Sequence, residues 1–252
     1  MTAKHILKLW ILLLILSCQS HHISKIKGKR VAIDEHLATQ QDIENFIKPY
    51  REHINKTLDS VISYAPETYS KSDGDFNTAI GNLMADAVFS EGNPIFKQRT
   101  GHDIDFVILN HGGIRSIISK GNITSRTAYE VMPFENSVVV VALKGTQVNQ
   151  LFVYLSEARR AHPLSGQVRL TIDRNFKISS ATVHGEPIDP SKTYYVATND
   201  YLFNGGDRMT FFHPNEGSFV LNYKIRNVLI DHFKKTDTLN AKRDNRFIQI
   251  NE

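Results

Sequence analysis

The chain has 252 residues, of which 41% are hydrophobic and 22% are charged. These values are ordinary for one large globular domain with an apolar core, or for two small ones. The net charge of +4 is modest, and basic residues cluster only in short pairs such as Arg159-Arg160. The composition therefore argues against a nucleic-acid surface, which would need a basic stripe.

Residues 1–17 predict an export signal. Basic residues precede an unbroken apolar run from Leu9 to Leu16, which is far shorter than the roughly 20 residues that cross a bilayer. The sequence Ile15-Leu16-Ser17-Cys18 resembles a bacterial lipoprotein signal, in which the cysteine is lipidated and the chain is cut before it. We therefore expect lipidation of Cys18 and a lipid anchor that holds the exported protein at the bacterial cell envelope, in the periplasm or on the outer-membrane surface.

A plain secretory signal with an incidental cysteine is the alternative. Because Cys18 is the single cysteine of the chain, an internal disulfide is excluded. Residues 18–38 are polar and weakly patterned and predict a tether. Residues 39–252 predict the folded domain.

Helical spacing of apolar residues starts near Thr39 and predicts a long helix through Val61, with a turn or kink at Pro49. Residues 75–89 repeat the helical pattern, with Asp75 or Asn77 as the N-cap.

The rest of the domain interleaves further helices and strands. The predicted helices cover residues 124–131, 145–155 and 221–233, the first of them capped by Thr124 or Ser125. The predicted strands cover residues 104–109, 138–143, 168–172, 176–183, 194–198 and 246–250. Because the order is not strictly β-α-β, we expect an α+β fold in which helices pack on a mixed β-sheet.

The run Asn110-His111-Gly112-Gly113-Ile114-Arg115 follows a predicted buried strand. Gly112 and Gly113 permit a positive φ and let a ligand approach bare backbone. Arg115 offers a planar, charged fork that suits phosphate. On these residues alone, a structural turn followed by a surface arginine is the commoner explanation.

Two later segments contain further candidate ligand contacts. Phe134 lies at a junction between a predicted helix and a predicted strand, where a phenylalanine belongs more often to the core than to a cleft. Gly205-Gly206-Asp207 would bring a carboxylate near a ligand, and carboxylates accept well from ribose hydroxyls. A tight turn with a solvated aspartate explains that run equally well.

Three segments in this order, residues 110–115, 131–136 and 198–207, preceded by a Gly-Asn-Leu-Met-Ala-Asp run at residues 81–86, resemble the C-terminal, substrate-binding domain of the 5'-nucleotidase and UDP-sugar hydrolase family. The resemblance covers residues 40–235 and implies that domain's mixed sheet with packed helices. It also implies that Phe134 and Tyr201, the latter replacing the usual Phe, stack on the two faces of a nucleobase. The substrate-binding residues that it implies are Asn110, Gly113, Arg115, Phe134, Tyr201 and Asp207.

The chain departs from the family pattern in two respects. Ahead of residue 81 the family carries arginines that hold phosphate, whereas residues 69–77 contain Lys71 as their only cation. The Gly-Asn-His and Gly-His-x-His runs of the family's two-metal phosphatase domain are also absent from the sequence, and its one Asp-x-His run, at residues 34–36, stands alone in the predicted tether. His102-Asp103 with Asp105 is the nearest approach to a ligand cluster, and a polar loop explains it better.

We therefore expect no catalytic residue, metal ligand or cofactor in this chain, and two divalent metals in a separate metallophosphatase chain that acts as its partner. The chain would then be the nucleotide- or nucleoside-binding part of a split 5'-nucleotidase-type hydrolase that acts in nucleotide catabolism. A non-catalytic nucleoside-binding lipoprotein is the alternative. A degenerate fold retained for interaction only is a third possibility.

Overall fold

A computed structural model describes residue 5, residues 25–34 and residues 37–250. Apart from residue 5, the predicted signal peptide lies outside the described residues, and so does the predicted lipidation site Cys18. The chain divides into two compact units, Met1–Lys48 and Pro49–Glu252. In the first unit, the described residues 25–34 form neither helix nor strand. Among the described residues, no helix combines the length and the apolar character needed to cross a bilayer.

Helices and strands interleave along the described chain. The α-helices are α1 (Gln41–Leu58), α2 (Ala79–Thr100), α3 (Ser125–Val131), α4 (Gly145–Ala158), α5 (Asp200–Phe203) and α6 (Ile225–Lys234). The strands are β1 (Val61–Ala65), β2 (Phe106–Val107), β3 (Gly121–Thr124), β4 (Ser137–Lys144), β5 (Val168–Ile172), β6 (Ile178–Val183), β7 (Glu186–Pro187), β8 (Thr193–Asn199), β9 (Gly217–Lys224) and β10 (Phe247–Gln249). Short 3-10 helices cover His111–Gly113, Gly206–Arg208 and Thr210–Phe212.

Within the described part of the chain, the strands form three sheets, two of them mixed. In the central sheet, of order β2-β8-β4-β9, β2 is parallel to β8 and the other neighbours are antiparallel. A second sheet has the order β10-β5-β6-β7, with β10 parallel to β5. Strands β1 and β3 form an antiparallel pair. The predicted fold, a mixed sheet with packed helices, is confirmed, although its strands divide among several sheets.

Strand β4 is buried on both faces because apolar layers cover each side of the central sheet. Successive side chains of a strand point to opposite faces. Val138 and Val140 accordingly pack in a cluster with α2 and α6, whereas Val139, Val141 and Leu143 pack in a second cluster with α4 and β5. An apolar run that is continuous rather than alternating is typical of a strand covered on both faces.

Helix α2 begins later than predicted and ends later. Its N-cap is Thr78, whose hydroxyl oxygen accepts from the Gly81 N–H at 3.1 Å. Asp75 and Asn77 do not cap the helix; the Asn77 amide instead donates to the carbonyls of Asp244 and Phe247. The helix continues to Thr100 and stops at Gly101, which has a φ of 79°, a left-handed conformation that glycine adopts without strain.

Two helix boundaries were predicted wrongly because strand pairing overrides the helical spacing of apolar residues. Helix α1 ends at Leu58, and Val61 begins β1, where it pairs with Thr124 of β3. The predicted helix over residues 221–233 begins only at Ile225, since Leu221 lies in β9 beside β4. A periodicity of three to four residues cannot show whether a partner strand is present.

Strands β1, β3, β7 and β9 were not predicted as strands, and the differences at the other elements are smaller. The predicted strand over residues 104–109 is reduced to β2, and Phe176 lies outside β6 because its φ of 61° is left-handed. Helix α3 begins after Thr124, which is its N-cap as predicted.

The N-cap of α2 is expected to contribute measurably to stability. Replacing Thr78 by Ala removes the hydroxyl that accepts from Gly81, whereas Thr78→Ser retains it and loses only the methyl group. We expect Thr78→Ala to lower the free energy of unfolding by about 1 kcal/mol more than Thr78→Ser does, measured by urea denaturation. Equal losses in the two variants would show that the cap contributes nothing.

Candidate functional site

The directions of β2, β8 and β4 bring the three sequence motifs to one edge of the central sheet. Strand β8 runs parallel to β2 and antiparallel to β4, so the carboxyl ends of β2 and β8 lie beside the amino end of β4. The first motif follows β2, the second precedes β4, and the third extends beyond the end of β8. They enclose a pocket of about 280 Å³, lined by Asn110, Gly112, Arg115, Phe134, Asn136, Tyr201 and Asp207.

Five of the six predicted substrate-binding residues line this pocket: Asn110, Arg115, Phe134, Tyr201 and Asp207. The sixth, Gly113, is buried behind the pocket wall, where an added Cβ would lie 3.0 Å from the Asn110 Oδ1. The structure therefore gives Gly113 a packing role, since a side chain there would displace the Asn110 amide.

Gly112 and Gly113 do not adopt the positive φ that glycine permits, because both lie in the 3-10 helix His111–Gly113. Bare backbone is nevertheless presented to the pocket at Gly112, as predicted. Gly113 therefore provides space at this site, whereas a Cβ at Gly112 would make only an ordinary contact, 3.6 Å from the Asn110 Nδ2.

Phe134 and Tyr201 both present their rings to the pocket. Their exposed fractions are 41% and 44%, so neither ring is sealed in the core, and the core explanation of Phe134 is wrong. The Arg115 guanidinium lies 5.8 Å from the centroid of the Phe134 ring, near the outer limit of a cation–π contact. A small pocket with two partly exposed rings suits a flat, apolar-faced ligand.

Asp207 is held in place by Tyr201. The Tyr201 hydroxyl donates to the Asp207 Oδ1 at 2.9 Å. This bond raises the pKa of Tyr201, because the protonated phenol is the form that can donate to the carboxylate. The ring and the carboxylate therefore form one unit.

The loop that carries Asp207 needs its glycines. Gly205 has a φ of 87° and Asp207 itself a φ of 51°, both in the left-handed region that asparagine, aspartate and glycine tolerate best. A Cβ at Gly206 would lie 2.6 Å from ring atoms of Tyr201. The permissive loop predicted from the sequence is thus confirmed, with Gly206 allowing the loop to fold closely against the ring.

Asn199, at the end of β8, links two of the motifs and was not predicted. Its side chain is 1% exposed, donates to the Asn110 Oδ1 at 2.7 Å and accepts from the Leu202 N–H at 2.9 Å. It therefore caps α5 and orients the Asn110 amide at the same time. Because the Asn110 Oδ1 accepts from Asn199, the Asn110 Nδ2 remains available as a donor.

Asn136 was also missed, together with Asp200, which orients it. The Asn136 Nδ2 donates to the Asp200 Oδ1 at 2.6 Å, and the Asp200 Oδ2 accepts from the Ser137 N–H at 3.1 Å. Both residues lie inside the motif segments quoted from the sequence. The signal was therefore present, although side-chain types alone did not show which polar groups face the pocket.

A second, open pocket of about 550 Å³ adjoins the first. It is lined by Asn136, Asp200, Tyr201, Asn204, Gly205 and Gly206. Asn136 and Tyr201 line both pockets, so they form the boundary between the two.

A buried histidine, His162, packs near the loop that carries Asp207. His162 is 2% exposed, and burial lowers its pKa to about 4, so the ring is neutral at neutral pH. Its ring lies 5.9 Å from that of Tyr154, whose hydroxyl donates to the Asp207 carbonyl at 2.8 Å. The neutral His162 thus packs beside the tyrosine whose hydroxyl binds the loop of Asp207.

Lys71, the single cation of residues 69–77, lies close to the first motif. Its Nζ donates to the Ile114 carbonyl at 2.9 Å. The backbone of residues 110–115 is therefore held by Lys71, next to Arg115.

Within residues 5, 25–34 and 37–250, no group of three or more His, Cys, Asp or Glu side chains is arranged to hold a metal ion. Asp103 accepts from Lys97 at 2.9 Å, and Asp105 accepts from the Tyr195 N–H at 2.7 Å. His102 stacks on Tyr195 with 4.6 Å between ring centroids. These contacts show that His102, Asp103 and Asp105 belong to a polar loop.

Most of the chain is similar to part of several known proteins. Residues 59–214 match the family model described as "5'-nucleotidase, C-terminal domain". Protein UshA of Escherichia coli (strain K12) is 29% identical over 226 residues, which cover 85% of this chain and 38% of UshA. The cell wall protein Lmo0130 of Listeria monocytogenes is 31% identical over 178 residues, which cover 63% of this chain and 22% of that protein.

Among solved structures, the 5'-nucleotidase precursor from Thermus thermophilus superposes with a TM-score of 0.69 at 24% identity, covering 84% of this chain and 44% of that structure. At this identity the likeness shows a shared fold. The chain spans less than half the length of each of these proteins. Because the family model matches more than half of its residues, the chain belongs to the 5'-nucleotidase C-terminal domain family.

Proposed function

We propose that this chain provides the nucleoside-binding site of a 5'-nucleotidase-type hydrolase that acts in nucleotide catabolism, and that another chain provides the two-metal phosphatase domain. The observation that carries the proposal is the single pocket that contains two exposed rings, a carboxylate and an oriented amide. The family membership supports the same conclusion.

The base would lie against Phe134 and Tyr201. Stacking of a base on an aromatic side chain contributes on the order of 1 to 3 kcal/mol and discriminates little among bases. The polar groups near the rings are the amides of Asn110 and Asn136, which can donate to or accept from base edges. This composition suits a site that accepts several nucleosides.

The ribose and phosphate would lie beyond the rings. The Asp207 carboxylate accepts from ribose hydroxyls, while its Oδ1 remains bonded to Tyr201. Arg115 is exposed at the pocket rim, where its guanidinium can pair with a phosphate. The chain's own residues would thus bind and orient the nucleotide.

The described residues offer no donor set that fits two divalent metal ions. Hydrolysis of a phosphate ester in this type of enzyme uses such a metal pair to activate water and to neutralise the phosphoryl oxygens. We therefore assign no hydrolytic step to this chain. A separate metallophosphatase chain would supply the metals, its open face meeting the pocket rim at Arg115.

Export and lipidation at Cys18 are part of the proposal. They rest on the signal-like sequence of residues 1–18, and they would place the chain at the cell envelope. The name of the Listeria monocytogenes relative, a cell wall protein, is consistent with such a location.

A non-catalytic nucleoside-binding lipoprotein is the second candidate. The same pocket supports it, because base and ribose contacts require no metal. The two functions differ in whether a bound nucleotide is hydrolysed when a phosphatase chain is present.

Nucleoside binding should depend on both rings. We expect adenosine to bind to the purified chain, and Phe134→Ala or Tyr201→Ala to weaken binding about 5- to 150-fold, the equivalent of about 1 to 3 kcal/mol per stacked face. Isothermal titration calorimetry measures this. Tyr64→Ala is the matched control, because Tyr64 is 40% exposed and lies on β1, outside the pocket.

If the two pocket variants bind adenosine as tightly as the wild-type chain, the rings are not the base site. If the wild-type chain binds neither adenosine, AMP nor UDP-glucose, the fold serves interaction only, and both proposed functions are wrong.

Hydrolysis should require a second chain. We expect the purified chain alone to release no phosphate from AMP, and release to begin when a two-metal phosphatase chain lacking this domain is added with Mn²⁺. EDTA should abolish the release, and Phe134→Ala should reduce its rate at low AMP concentration. Adenosine binding without any effect of this chain on phosphatase activity would favour the non-catalytic lipoprotein.

A further inference from the structure

The segment that carries Phe134 is held by the last residue of β9 and the first residues of α6. This segment, residues 133–136, is called the Phe134 segment. The Ile225 N–H donates to the Asn136 carbonyl at 3.0 Å, and the Lys224 Nζ donates to the Glu135 carbonyl. The contacts join parts of the chain that are about 90 residues apart in sequence.

Arg226 makes the most extensive contacts with this segment. Its Nη1 lies 3.4 Å from the Pro133 carbonyl and 3.5 Å from the Phe134 carbonyl, and its Nη2 forms an ion pair with the Glu135 carboxylate. Its guanidinium also lies 4.1 Å from the centroid of the Tyr129 ring on α3. One side chain therefore contacts three consecutive residues and the helix that precedes them.

The burial of Arg226 is unusual for a charged side chain. Arg226 is 7% exposed, and burying a charge is unfavourable unless it is paired and hydrogen-bonded. Glu135 provides the opposite charge, and Tyr129 provides a π face. The bond from Arg226 in turn holds the pKa of the Glu135 carboxyl below its ordinary value.

Apart from those of Arg226, the hydrogen bonds described for the Phe134 segment fall on its last two residues, Glu135 and Asn136. Pro133, Phe134 and Glu135 are all exposed, so apolar burial of these side chains does not determine the position of the backbone. A loop without burial is mobile unless hydrogen bonds hold it. The guanidinium of Arg226 offers five N–H donors in a rigid plane, which matches the successive carbonyls and the carboxylate of this segment.

We infer that Arg226 is a positioning residue of the nucleoside site, which holds the Phe134 ring in its stacking position before the ligand arrives. The inference rests on the proposed function only for the identity of the ligand. A ring that is already held in its stacking position binds the ligand more tightly, because less conformational entropy of the side chain and the loop is lost on binding. Arg226 itself does not line the pocket and acts through Phe134.

The first test is a double-mutant cycle with adenosine as the probe. Arg226→Met retains the length and apolar stem of the side chain, and we expect it to weaken adenosine binding about tenfold. In a Phe134→Ala background the same change should have no further effect, because the ring that Arg226 positions is already absent. Arg226→Lys, which retains the charge but not the fork, should lie between wild type and Arg226→Met.

Arg169→Met is the matched control. Arg169 also donates to two main-chain carbonyls, those of Gly166 and Val168, both at 2.7 Å, and it lies outside the pocket. This variant should bind adenosine like the wild-type chain. If Arg226→Met weakens binding equally with and without Phe134, Arg226 does not act through the ring, and the inference is wrong.

The second test needs no ligand. Hydrogen exchange of a peptide covering residues 131–137 should become faster in Arg226→Met, while exchange in β5 and β6 stays unchanged. Unchanged exchange at residues 131–137 would overturn the inference even if adenosine binds. Faster exchange in a chain that binds no nucleoside would support the positioning role and reject the proposed function.

Should Arg226→Met fail to fold, Glu135→Gln and Arg226→Lys serve in both tests, with smaller effects expected in the same direction.

Discussion

The position of β8 between β2 and β4 is the constraint on which the pocket depends. Because β8 is parallel to one neighbour and antiparallel to the other, two segments that leave strands and one that enters a strand meet at a single edge. The pairing of Val138 with Asn199 sets the register at that edge. A shift of one residue would turn each side chain of the strand to the opposite face and would separate the three motifs.

The pocket combines exposed rings with buried polar supports. Phe134 and Tyr201 are only partly buried. Core packing therefore does not fix the positions of these two rings, whereas it does fix those of the buried valines of β4. Asn199 and Arg226 are buried, and their hydrogen bonds hold Asn110 and the Phe134 segment, which contribute to the pocket. This arrangement keeps apolar surface available for a ligand while the backbone beneath it stays ordered.

Hydrogen bonds also connect residues that line the pocket with one another and with buried or half-buried neighbours. Tyr201 holds the Asp207 carboxylate, Asp200 holds the Asn136 amide, and Asn199 holds the Asn110 amide. Each pair leaves one polar group of defined orientation for a ligand. The site is therefore preorganised, which reduces the conformational entropy lost on binding.

The sequence by itself determined the residue types that line the pocket, their order and most of the helices and strands. Glycines, aromatic residues and an aspartate at fixed spacing identified the motifs, and local periodicity located α4, β4 and β8. Only the tertiary structure decided where α1 ends and α6 begins, whether Phe134 is buried, and which side chains support the site. Those outcomes depend on partners far away in the chain, such as β3 for Val61 and the Phe134 segment for Arg226. Local propensity is weak compared with the free energy of strand pairing and burial, and that energy depends on contacts that a short stretch of sequence does not contain.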